Sequence, residues 1–388
     1  MNWLFPTRAA WAAAALLVPL LSFAANAQIA VSSNDNKVTL QNGTTPVTAN
    51  PPDDTVSIID LSADPPKLVT ELKAPSSVAG PPQNVAITPD GSLALVSSHF
   101  KFDPADPKKL APDNRVTVID LKAIPPAVAA TVESGAGATG TAINPAGTMA
   151  LVANHLEGTV SVFSVSGKTL TRTGTIDFGD PKSGPAAIAF SPDGKMALVT
   201  RDGDHRISVL SVDGDKVTDT KRVMTGGFRP YAVEFSPKGD IAVVGYQGMN
   251  AGDVMPVTVV DAKDKAPRIV NTVNVGQYVE GLAFSPDGNF LAVIPQNGSN
   301  LATTHPFYND HGLLIVFAVE GTNLTRVAET KIGAWPQGVA WSRDGKTLLT
   351  QGMVNKALDV VSFDGKNLKV TGQVKVDGGP EGIAVAKQ

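Results

Sequence analysis

Gly184–Val199 reads GPAAIAFSPDGKMALV. Two short apolar runs flank a Ser-Pro-Asp-Gly element. Proline presets φ for a turn and glycine accepts a left-handed backbone, so the stretch predicts two antiparallel strands joined tightly. A close copy starts at Gly281 (GLAFSPDGNFLAV), and weaker copies start at Asn84, Tyr231 and Gly338. The proline position recurs at 89, 145, 192, 237 and 286 and is taken by Arg343 in the sixth copy. Spacings of 45 to 57 residues, in a chain rich in strand signals, predict a β-propeller with four strands per blade.

In the third copy the strands are expected at 187–190, 196–200, 206–212 and 216–223. Six copies are complete. The C-terminal GPEGIAVA (379–386) is an inner strand with no blade after it, and the N-terminal region offers three more strands at 29–33, 55–61 and 67–72. Together they make a seventh blade that closes the ring and leaves no free sheet edge. The fold expected is an all-β, seven-bladed propeller of four-stranded antiparallel blades over residues 28–388, with Val31 beside Ile383.

TVSIIDL at Thr55, VTVIDL at Val116, TVSVFSV at Thr159 and the repeated FSPDG elements resemble the YVTN-type seven-bladed propeller family, within the wider group of lactonase-like and cytochrome d1-like propellers. The resemblance covers essentially the whole chain after residue 27 and implies the fold. It also implies a choice of functions, because relatives include lactonases, lyases, electron-transfer proteins and proteins of unknown role. Lactonase relatives commonly carry Gly-Pro-Arg-His before an inner strand. The corresponding stretches here, GPPQN, GPAAI, FRPYA and GPEGI, hold no Arg-His pair.

The first 27 residues carry one Arg, an apolar run and a closing Ala-Asn-Ala, the order of a secretory signal peptide. Removal of that segment leaves 31 basic and 36 acidic residues and no membrane span, and places the protein in the periplasm or outside the cell. The chain has no Cys, which excludes disulfides and thiol chemistry. The negative balance without a basic stripe disfavours nucleic acid. A small-molecule ligand or a periplasmic partner protein is expected instead.

Propeller sites form where the loops leading into the inner strands meet the loops between second and third strands. All five histidines, His99, His155, His205, His305 and His311, fall in the second class. Neutral imidazole can act as a base or hold a metal near neutral pH. The first class supplies a ring at Gln83, Thr139, Ala186, Tyr231, Glu280, Gln337 and Glu381, with Phe228, Arg229, Tyr278 and Trp335 beside it. Aromatic faces there suit a ring-shaped or sugar-like ligand, and Arg229 suits an acidic group. Glu234, a carboxylate where other blades carry Ala, is expected to pair with Arg201.

Two readings follow. In the first, the protein is a non-catalytic binding module working through its loop-rich face. In the second it is a lactonase-like hydrolase or lyase, with His99 or His155 as general base, Arg201 or Arg229 steadying charge on oxygen, and Glu280 or Glu381 orienting the base or a divalent metal at the channel mouth. The missing Gly-Pro-Arg-His element and the absence of a nucleophile motif favour the first.

Overall fold

In the computed structural model, which describes residues 28–263 and 266–386, seven four-stranded antiparallel sheets form the ring. The leader segment lies outside the described residues. Blade 3 runs Pro185–Phe190, Met196–Arg201, Arg206–Asp213 and Lys216–Met224, within two residues of the bounds read from the repeat. Blade 7 is composite: Gly379–Val385 pairs with Ile29–Asp35, followed outward by Thr55–Asp60 and Lys67–Lys73. Val31 faces Ala384 and Ser32 faces Ile383 across that seam. No helix among the described residues is long and apolar enough to cross a membrane.

The repeated turn is held by its own side chains. Ser191 Oγ donates to Asp193 Oδ1 at 2.6 Å and accepts from Met196 N at 3.0 Å, while Gly194 sits at φ 71°. Ser285–Asp287 and Ser342–Asp344 repeat the 2.6 Å bond. The sixth copy shows why it lacks proline. Arg343 N donates to Gln28 Oε1 at 2.6 Å, and Gln28 Nε2 donates to Trp341 O at 3.2 Å. Proline has no N–H to offer. The first described residue is thus clasped to blade 6 at the ring seam. Arg343→Pro is expected to cost about 1–2 kcal/mol by leaving the buried Gln28 carbonyl unpaired, read as a lower denaturant midpoint.

Close approach at the axis explains the small residues of the inner strands. A Cβ on Gly140 would lie 2.3 Å from Ala186 O, and one on Gly281 would lie 2.5 Å from Gln337 O. The channel is also blocked by the chain itself. Gln83, from the loop leading into blade 1, accepts from Val233 N at 3.1 Å and donates to Val233 O at 2.7 Å, on blade 4 across the ring. Its carbonyl accepts from Thr141 N of blade 2, and Pro82 O accepts from Ile383 N of blade 7. Gln83 therefore makes a floor beneath the mouth rather than a member of the rim.

Three stretches longer than the repeat requires, 34–54, 97–114 and 296–311, are insertions, and they gather over the same mouth. That of blade 1 is a β-hairpin, Phe100–Asp103 with Asp106–Pro112. Blade 7's insertion folds back at the bridge Val38↔Val47 and reaches blade 5, where Asn42 Oδ1 accepts from Thr303 N at 2.9 Å.

Candidate functional site

Aligned on their second strands, the blades end LVSSH, LVANH, LVTRD, VVGYQ, AVIPQ, LLTQGM and AVSSND. The final register position holds His99, His155, Asp202, Gln247, Gln296, Met353 and Asp35. All but His155, which is partly exposed, are buried. Main-chain bonds set this ring: the N–H of residues 155, 202, 247, 296 and 353 reaches the carbonyl of Gly137, Gly184, Arg229, Tyr278 and Trp335 respectively. A second ring, from the inner strands, adds Thr139, Tyr231, Glu280, Gln337 and Glu381, all buried.

Blades 1 to 4 contribute a polar row. The His99 and His155 rings lie 5.1 Å apart. His155 Nε2 meets Asp202 Oδ1 at 2.7 Å, and Arg229 Nη2 donates to Asp202 Oδ2 at 3.0 Å. Burial would raise the Asp202 carboxyl, but the bond from His155 and the Arg229 charge outweigh it and hold the group below its ordinary value. A carboxylate can only accept, so His155 carries a proton on Nε2, which in the neutral imidazole leaves the lone pair on Nδ1. That atom is buried without a hydrogen-bond partner among the described residues. Burial pushes His99 down to about 3, aided by neighbouring His155 and opposed by Asp202, so its imidazole is neutral at pH 7.

Blades 4 to 6 contribute the facing side. Burial raises Glu280 to about 8, against the pull of Gln247, Arg229 and Gln296, so it keeps its proton at neutral pH. Gln247 Nε2 and Gln296 Nε2 both donate to Glu280 Oε2, at 3.2 and 3.0 Å. Their Oε1 atoms, and both amide atoms of Gln337, are buried without a partner among the described residues. Burial also raises Tyr231 and Tyr278, keeping both phenols neutral donors, and Arg229 hydrogen-bonds the Tyr278 oxygen.

The residues whose carbonyls hold the first ring carry positive φ. Blades 2 and 3 use Gly137 and Gly184, whereas blades 4 to 6 use Arg229 (φ 57°), Tyr278 (φ 56°) and Trp335 (φ 50°). A left-handed backbone costs an L-residue about 1–2 kcal/mol. Three consecutive blades keep large side chains where glycine would fit without strain, and strain of this kind clusters at functional sites. Tyr278→Gly is expected to be about 1 kcal/mol more stable than Tyr278→Ala, the reverse of their usual order, in paired denaturant titrations.

Other residues singled out from sequence stand elsewhere. Arg201 is one position before the ring, so alternation along the strand turns it away from the channel. Asn34, Asn154, Arg201 and Tyr246 share that register, and each bonds its own blade's third strand, Arg201 through Nη1 to Ser208 Oγ at 3.1 Å. Arg201 also pairs with Asp204 and lies 4.6 Å from the Phe178 ring centroid. Glu234 is not its partner: Oε2 accepts from Phe284 N of blade 5 at 2.9 Å. Trp335 packs with Val38 and Met353 in an apolar cluster under the blade 7 insertion and offers no open face to a ligand. Glu381, raised to about 7 by burial, accepts from Ser76 Oγ, Ser77 N and Asn84 Nδ2, anchoring the loop that supplies Gln83.

His205 joins the row from outside, its Nδ1 3.0 Å from Asp202 O and its ring 3.9 Å from that of Phe228. His305 accepts from Phe307 N and His311 pairs with Asp310, both within blade 5's insertion. Asp202, Gln247 and Gln296 were not anticipated; the shared strand-end register is the signal that finds them. No group of three or more His, Cys, Asp or Glu placed to hold a metal occurs among the described residues.

The family model described as lactonase, 7-bladed beta-propeller, matches residues 115–280. The chain is a seven-bladed propeller, and that span of it is similar to the lactonase model. The matched span includes His155, Asp202, Arg229, Tyr278 and Glu280. Among solved structures, a putative 6-phosphogluconolactonase from Bacteroides fragilis is 15% identical with a TM-score of 0.71, over 94% of this propeller and 99% of that chain. The periplasmic gluconolactonase of Pseudomonas aeruginosa is 17% identical with a TM-score of 0.68, over 92% and 98%. A functionally unknown protein from Desulfotomaculum acetoxidans is 19% identical with a TM-score of 0.68, over 92% and 98%. Identities this low speak for a shared fold and not for a shared substrate. No curated protein matches the propeller.

Proposed function

We propose that this propeller hydrolyses a lactone at its channel mouth. The observation that carries the reading is the His155–Asp202–Arg229 row, with an imidazole oriented by a carboxylate and an Nδ1 that has no hydrogen-bond partner among the described residues. His155 Nδ1 takes a proton from water as the water oxygen bonds to the lactone carbonyl carbon. Arg229 and the Tyr278 hydroxyl steady the negative charge that develops on the carbonyl oxygen. The ring C–O bond then breaks, His155 returns its proton to the departing ring oxygen, and a hydroxy acid results. His99, neutral beside His155, borders the water without competing for its proton.

The family match and the gluconolactonase neighbours support this reading over the binding platform, which rests on the missing Gly-Pro-Arg-His element and the absence of a nucleophile motif. Export to the periplasm fits the leader-like start and the periplasmic neighbour. The test is a pH-stat assay of the purified protein against five- and six-membered lactones. Acid release above the spontaneous rate, lost in His155→Ala, is expected. Lactone binding without acid release would restore the binding platform.

A further inference from the structure

The ring residues at the mouth are mostly polar, but the surface around them is not. Ten large apolar side chains of the described residues are exposed, and six of them, Leu156, Phe228, Met249, Val254, Phe307 and Val354, stand in or at the end of the loops around the mouth. Apolar exposure is therefore concentrated on the face that carries the row. Four of the six gather on blades 4 and 5. Phe228 precedes Arg229 and lies on the His205 ring. Its carbonyl accepts from Gly248 N, which places Met249 next to it. Gly252, on the same loop, lies against Phe307, since a Cβ there would come within 2.0 Å of that ring. Val254 starts the strand that leaves this loop. Phe228, Met249 and Phe307 are 40%, 66% and 49% exposed.

A soluble protein seldom leaves such a patch beside a polar site without using it. The patch adjoins the polar row, through Phe228 to Arg229 and through His205 to Asp202. Its loops, 225–229, 247–253 and 296–311, contain a single Lys or Arg, Arg229, which pairs with Asp202, against Asp253 and Asp310, a poor match to an anionic membrane surface. A single ligand can satisfy both regions if its ring is polar and its substituent is hydrocarbon. We infer that the substrate is a lactone bearing an alkyl or acyl chain, with the ring at the His155–Asp202–Arg229 row and the chain on Phe228, Met249 and Phe307. This rests on the ring-opening reading above and narrows it to amphiphilic lactones.

The experiment compares γ-butyrolactone with γ-decanolactone, the same ring with and without a six-carbon chain, on the wild-type protein and on Phe228→Ala/Phe307→Ala. The wild type is expected to show kcat/KM about 10–100-fold higher for the chain-bearing lactone, from partial burial of the added methylenes. The double variant is expected to lose most of that ratio, chiefly through KM. Equal rates on the two lactones, or a ratio untouched in the folded double variant, would overturn the chain-binding role and leave ring opening intact. Opening of neither lactone by folded protein would remove ring opening and the chain-binding role together. Adsorption of the wild type to neutral vesicles, with equal rates on both lactones, would reassign the patch to a lipid surface.

Discussion

Asp202→Asn is expected to slow lactone opening by about three orders of magnitude while leaving the fold intact. Arg229 Nη2 donates to one oxygen of Asp202 and His155 Nε2 meets the other. An amide in that place must keep its oxygen toward Arg229 and turn its NH₂ toward His155. Nε2 then becomes the acceptor and the imidazole proton moves to Nδ1. The atom that should take the proton from water no longer has a lone pair. A carboxylate-to-amide change that fixes the wrong tautomer costs about 10⁴-fold in the serine-protease triad. His155→Ala should cause a comparable loss, and the two together little more than either alone, because they act as one unit. Circular dichroism and the denaturant midpoint check folding. Loss of less than about tenfold in Asp202→Asn would show that Asp202 does not set the tautomer.

The second large effect is on stability. Glu280 rises from its ordinary 4.5 to about 8 on folding, chiefly through burial, with Gln247, Arg229 and Gln296 opposing. The folded state therefore holds a proton that the unfolded chain releases above pH 4.5. The contribution is fully present below pH 4.5 and is lost as pH rises through 8. Glu381, raised to about 7, acts in the same sense over a narrower window. The denaturant midpoint should fall between pH 5 and pH 9. Glu280→Gln keeps the shape and the acceptor for both Gln amides but cannot ionise. It should flatten most of that slope, on the order of 3–5 kcal/mol across the window. A slope as steep in Glu280→Gln as in the wild type would place the titration elsewhere.

The architecture was legible because a tight turn, in several copies locked by its own side chains, recurs at 45- to 57-residue spacing, and its six copies count the first six blades. Closure was legible because an unpaired inner strand at one end and three strands at the other have no other partner. The site was legible in part. His99, His155, Arg229, Tyr231, Tyr278 and Glu280 come from the two loop classes that meet at the mouth. Asp202 was missed because a search by residue type notices histidines, whereas the ring is defined by register and holds His, Asp, Gln and Met alike. Arg201 was misplaced by one residue, enough in a strand to send a side chain to the other face. His305 and His311 belong to a long insertion whose path no strand period fixes. The left-handed φ at Arg229, Tyr278 and Trp335 is invisible to composition, since it shows only against the glycines of blades 2 and 3.

Two clefts also open on the opposite face, one lined by Phe290, Arg343 and Phe363, the other by Gln28, Asp64 and Lys369. A crystal structure with a hydrolysis-resistant lactam analogue bound separates the two faces. Its amide carbonyl is expected within hydrogen-bond reach of Arg229 and Tyr278, with a water between its carbonyl carbon and His155 Nδ1. A lactam seated only in the clefts beside Arg343, with the His155–Asp202–Arg229 row untouched, would contradict the assignment of the mouth as the catalytic site.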